Sequence, residues 1–193
     1  MRQAAGAALC KRARLRYLSR VKPAPITPSD HIEGPEDARV TLLEYGDFEC
    51  PYCVRAYPVI ESVRIARKGS LRFVFRHVSR SSNGFAKQAA EASEFAASKG
   101  RFWEMHRELF THPGEHELEQ LVGYAQAIGL DAGECRTALV ERKFAALVRD
   151  LDAAAARSGI IGTPVLFANG ERFEDRIEVE TLGAAVDRAY ARS

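Results

Sequence analysis

The stretch that most limits the possible folds is Phe48-Glu49-Cys50-Pro51-Tyr52-Cys53, which joins an apolar β-type run, Val40 to Tyr45, to a helical pattern from Val54 to Lys68. Two cysteines at this spacing on the first turn of a helix have Cβ atoms roughly 5 to 6 Å apart. A small adjustment lets them close a disulfide. The first of them stands where unpaired amide groups and the helix dipole favour an anion, so its thiolate is stabilised. Cys50 is therefore expected to be the nucleophile. Cys53, one turn in, is expected to be covered and to attack Cys50 in a mixed disulfide, which releases the substrate.

Other uses of such a pair fit less well. Tetrahedral zinc needs two further ligands, and Cys10 and Cys135 stand alone in the sequence, so no metal is expected. A permanent disulfide across so short a loop removes little unfolded-chain entropy. The isolated cysteines also do not form a disulfide framework.

At 193 residues, with 46% hydrophobic and 28% charged residues, the chain can bury one domain, or one domain carrying an insertion. The net charge of +2 hides an asymmetry. Residues 1–22 hold Arg2, Lys11, Arg12, Arg14, Arg16, Arg20 and Lys22 and no acid, so a basic arm precedes a mildly acidic body. The arm fits a transit peptide or an anionic-surface contact, but it has no motif for specific nucleic-acid recognition. No apolar run approaches the roughly 20 residues of a transmembrane segment. Ala4 to Cys10 precedes its basic residues, the reverse of a secretory signal, so the expected localisation is cytoplasmic.

Pro23, Pro25 and Pro28 make residues 23–30 an expected stiff linker, with the domain running over 31–193. Gly34-Pro35-Glu36-Asp37 reads as a turn before a strand from Arg39 to Tyr45. The alternating Leu71 to His77 gives a second strand, parallel to the first across a βαβ crossover. Three- and four-residue apolar spacing then marks a helical insertion at about 84–158, punctuated by Gly100, Pro113-Gly114 and Gly129. Ile160 to Phe167 returns to β character, Asn169-Gly170 favours a type I′ hairpin, and Val179 to Tyr190 is an amphipathic helix.

This α/β order, βαβ, helices, then ββα, together with Cys50-Pro51-Tyr52-Cys53 and Gly162-Thr163-Pro164, resembles the thioredoxin-like fold, and more narrowly the DsbA-like thiol-disulfide oxidoreductases. The resemblance spans about His31 to Tyr190. It implies exchange of disulfides with protein or peptide thiols, a redox partner, and no cofactor beyond the Cys50–Cys53 disulfide. It also implies a cis bond at Pro164 facing the pair, with Thr163 free to bind substrate backbone, as in strand addition. Glu44 matches the family's buried acid and is expected to relay the Cys53 proton. Pro51 and Tyr52 set the redox poise, and Pro58 matches a kink proline. Glu49 is expected to oppose the thiolate by repulsion.

Two other functions remain open from sequence: a glutathione-dependent reductase or transferase of the same fold, and a non-enzymatic interaction module with a vestigial pair. The histidines receive plainer roles. His112 and His116 are expected in an acidic surface loop, and His77 and His106 as partly buried packing residues. Phe102, Trp103 and Phe110 are expected in the core of the insertion.

Overall fold

The computed structural model describes residues 21–79 and 84–193; the basic arm expected over 1–22 therefore lies almost wholly outside the described residues. Five strands, β1 (His31–Glu33), β2 (Val40–Gly46), β3 (Leu71–His77), β4 (Val165–Ala168) and β5 (Glu171–Arg172), form one sheet in the order β1-β3-β2-β4-β5. β2 and β3 are parallel, as the crossover through α1 (Pro51–Ala66) requires, and β4 runs antiparallel to β2. The chain reversal between β4 and β5 follows from local chemistry. Asn169 and Gly170 have φ of 47° and 81°, the left-handed pair that a two-residue type I′ hairpin demands.

The central strands are buried on both faces, which is why β2 reads as nearly continuous apolar sequence. Val40, Leu42, Leu166 and Ala168 point to a core shared with α1 and α7 (Val179–Arg192), whose contributions include Ile60, Val63, Leu182 and Val186. Leu43, Tyr45, Val165 and Phe167 point the other way, against Ala155, Ile160 and Val21. The inserted helices are α2 (Phe85–Ser98), α3 (Phe102–Thr111), α4 (Leu118–Ala127), α5 (Ala132–Val140) and α6 (Ala145–Arg157). In α2 the alanines at 86, 89, 90, 92 and 96 are buried, and such small side chains let neighbouring helices approach closely. Among the described residues no helix is long and apolar enough to cross a membrane.

Two features differ from the sequence expectation. Edge strand β1 precedes the strand from Arg39 that was expected to be the first. It is held from outside its own sequence: by antiparallel pairing to β3, by the Glu33–Arg64 ion pair, and by the Trp103 indole N–H donating to the Ile32 carbonyl at 3.2 Å. Residues 23–30, expected as a spacer, are moored to the sheet. The Arg76 guanidinium donates to the carbonyls of Ala24 and Pro25 at 3.0 and 2.8 Å and pairs with Asp30 at 2.6 Å, while Ile26 packs beside buried Val21.

Gly46 closes β2 under the active site, and a Cβ there would overlap the Phe75 ring and come within 3.0 Å of Glu44 Oε1. Gly123 lies exposed in α4 with open space around it. Gly46→Ala should therefore destabilise the protein by about 1–3 kcal/mol through overpacking. Gly123→Ala should stabilise it by about 0.4–1 kcal/mol through the unfolded chain. Urea unfolding of the two variants checks both signs.

Candidate active site

The end of β2 delivers the chain to α1 through Asp47, Phe48 and Glu49. Phe48 is 1% exposed, and its ring packs on Phe75 and Phe110. Anchoring that ring fixes the start of α1. Cys50 becomes the N-cap residue, with φ −76° and ψ 118°, and Pro51 takes the first helical position, where the missing N–H costs nothing. Helical phase then separates the two sulfurs by environment. Cys53 falls on the buried stripe with Ala56, Ile60 and Val63, and is 0% exposed, whereas Cys50 stays half-buried. Both are free thiols.

This asymmetry sets their acidities. The Cys50 pKa is lowered to about 5, first by the Cys53 thiol hydrogen-bonding to it, then by the Thr163 side chain and the backbone N–H groups of Cys53 and Tyr52, all against partial burial. The Cys53 thiol is pushed strongly upward, chiefly by burial, then by its bond to Cys50 and by the Glu44 charge, although the Asp47 N–H reaches its sulfur at 3.5 Å. One sulfur is an anion at neutral pH and the other keeps its proton.

Glu44 sits on the buried face of β2, 3% exposed, and its Oε1 has no hydrogen-bond partner. Burial, with smaller contributions from Glu61 and Cys50, raises its pKa to about 8. The carboxyl is therefore mostly protonated at neutral pH and able to give or take a proton beneath the pair. Across from α1 the Thr163–Pro164 peptide is cis, and the Thr163 carbonyl lies 3.4 Å from the Cys50 sulfur. An open cleft of about 730 Å³ continues from there, lined by Tyr52, Arg55, Thr163, Pro164, Arg176 and Ile177. Tyr52 is 66% exposed, with the Arg55 guanidinium 4.6 Å from its ring centre. The structure thus brings Glu44, Cys50, Pro51, Tyr52, Cys53, Thr163 and Pro164 to one place.

Glu49 and His116 require correction. His116 is not in a surface loop: its side chain is 0% exposed, and its Nδ1 meets a Glu49 carboxylate oxygen. Its Nε2 donates to the Leu109 carbonyl at 3.0 Å. Glu49 therefore does not stand alone beside Cys50, as its place in the sequence suggests, but against a buried imidazole. His112, by contrast, stacks on Tyr124 and does not converge with His116 on a common site. His77 is more than a packing residue: it is 2% exposed and, with His31, meets Glu94 behind the active site. No sequence spacing signals that cluster, since its members come from β1, β3 and α2.

A thiolate at a helix N-terminus, a buried partner sulfur and a facing Thr-Pro turn on a mixed five-stranded sheet define a protein of the thioredoxin-fold class. The profile of the family described as Thioredoxin matches residues 27–188, and the chain belongs to that family. Among solved structures it is similar to oxidised BdbD from Bacillus subtilis, with TM-score 0.78, 22% identity, and 90% of this chain and 99% of that one covered. A thioredoxin-like oxidoreductase from Silicibacter pomeroyi gives TM-score 0.74 at 25% identity, covering 86% and 95%. In sequence the chain is 40% identical over 169 residues to the Na(+)/H(+) antiporter NhaA 1 of Salinispora arenicola, covering 86% of this chain. It is likewise 40% identical to NhaA of Herminiimonas arsenicoxydans, covering 84%. The chain spans only 26% of the length of each of these antiporters.

Among the described cysteines, the alkylation of the reduced protein that titrates with a midpoint near pH 5 should map to Cys50. Because the folded pKa lies below the unfolded value, ionisation stabilises the reduced fold fully above about pH 9, and that stabilisation is lost as pH falls through about 5. The stability of reduced protein relative to oxidised should therefore rise across this window. Peptide mapping of the alkylated cysteine and paired denaturation curves provide the check.

Proposed function

We propose that the chain exchanges disulfides with protein or peptide thiols through Cys50 and Cys53, and that it runs as a disulfide donor. The observation that supports this reading is the split between an accessible, acidic Cys50 and a buried, weakly acidic Cys53. In the donor direction a substrate thiolate attacks the Cys50 sulfur of the Cys50–Cys53 disulfide. The S–S bond breaks, Cys53 leaves, and protonated Glu44 supplies the proton that the buried sulfur demands. A second substrate thiolate then attacks the substrate sulfur of the mixed disulfide and expels Cys50 as a thiolate. Two electrons have passed from the substrate dithiol to the cysteine pair. A low pKa makes Cys50 the better leaving group and favours the reduced protein, which makes its disulfide oxidising.

Thr163 and Pro164 bind the backbone of an extended substrate, and the cleft beyond them receives the segment that flanks its cysteine. Pro51 and Tyr52 border the reacting sulfur and tune it. No cofactor is needed, although a separate redox partner must reoxidise the pair. A donor role conflicts with the cytoplasmic localisation drawn from the N-terminal residues, because the cytosolic glutathione pool keeps such pairs reduced. An oxidising compartment is accordingly part of the proposal, and fractionation of cells expressing the full chain tests that part separately.

Cys50→Ser should reduce exchange to the uncatalysed rate, Cys53→Ser should accumulate mixed disulfides, and Glu44→Gln should slow turnover by about 10²-fold. Equilibration with glutathione buffers should give a potential more oxidising than the glutathione couple. Sustained turnover of a glutathionylated peptide by the Cys53→Ser variant would instead assign a glutathione-dependent enzyme. Equal activity in both cysteine variants would remove the redox assignment altogether.

A further inference from the structure

Behind the active site, three side chains from three separate elements converge. The Nε2 atoms of His31 on β1 and His77 on β3 lie 2.8 and 2.9 Å from the same Glu94 oxygen, Oε1, on α2. All three candidate ligand atoms fall within 4.8 Å of one another. The His77 and Glu94 side chains are 1% and 6% exposed, while His31, at 16%, leaves a way in from solvent. The walls are aromatic: Phe102 stacks on His31 at 3.5 Å, and Phe48 lies 5.7 Å from His77. Ser93 adds a hydroxyl 3.4 Å from His77 Nε2.

We propose that His31, His77 and Glu94 form a binding site for a divalent transition-metal ion of the zinc type, separate from the cysteine pair. Two imidazoles and a carboxylate are the donor set that suits zinc, and three protein ligands leave one position for water. Zinc with bonds of ~2.0–2.1 Å requires ligand–ligand edges of about 3.3 Å. The two short edges must therefore open by about half an ångström, and the edge between His31 and His77, within 4.8 Å, must come to the same length. A bound ion would tie edge strand β1 to β3 and to the insertion. It would also bear on Phe48, whose ring rests on His77 two residues before the reactive cysteine.

The test uses the oxidised full chain, whose Cys50 and Cys53 sulfurs are held in a disulfide, so a failure of the thiol-exchange reading leaves it intact. Calorimetric titration with Zn²⁺ should show stoichiometric binding that raises the melting temperature, and Co²⁺ should give the visible absorption of a tetrahedral nitrogen and oxygen site. Glu94→Gln and His31→Gln should each weaken Zn²⁺ binding by at least about tenfold, the lower end of what losing an outer-shell partner alone does. No binding to the unaltered chain, or an affinity in both variants unchanged from that of the unaltered chain, would overturn the site and leave a hydrogen-bonded bracket. Should the variants not fold, imidazole nitrogen NMR of the unaltered chain decides. Zn²⁺ must move the Nε2 resonances of both His31 and His77, and unmoved resonances reject the proposal.

Discussion

The whole site depends on one separation: a single helical turn carries one sulfur at the solvent boundary and the other into the core. Cys50 can be an anion because the first amide groups of α1 and the Cys53 thiol all point at it. Cys53 supplies that thiol hydrogen because burial forbids it to ionise. Each sulfur thus maintains the state of the other, and the phase of α1 sets both. Pro51 at the first helical position and Phe48 wedged between Phe75 and Phe110 determine that phase. An ordinary packing contact made by a phenylalanine therefore has a redox consequence.

The same burial acts on Glu44. A carboxyl facing the core without a hydrogen-bond partner is costly to leave in place, and protonation relieves the cost by removing the charge. Any step that frees Cys53 as a thiolate places a second negative charge in this poorly solvated space. A proton already held nearby is then worth more than one drawn from bulk water. In the exchange proposed above, the cost of keeping Glu44 buried in the resting protein would in this sense be recovered.

What could be read from the sequence was local. The cysteine pair, the βαβ unit, the Asn169-Gly170 hairpin and the helical character of the insertion each follow from neighbours within one element or one turn. What could not be read depends on distant partners. Strand β1 has too few residues to show a period and exists because Phe73, Val74 and Phe75 pair with it. Residues 23–30 look like a spacer until Arg76 gathers their carbonyls. His116 and Glu49, 67 residues apart, give no sign in sequence that they will meet. Charge counted along the chain leaves Glu49 alone beside Cys50, whereas in space a buried imidazole stands against it.

That pair changes how the insertion should be regarded. Helices added between the two halves of a compact fold could have been a separate cap resting on a complete active site. Instead, α3 and the loop after it supply Phe110, against which Phe48 packs, and His116, which meets the carboxylate of the residue preceding the nucleophile. The histidine is itself fixed by the Leu109 carbonyl at the end of α3. Displacement of that helix would loosen the Phe48 wedge and take His116 away from Glu49 together. The placement of the reactive sulfur thus depends on the packed insertion as well as on the residues that enclose it.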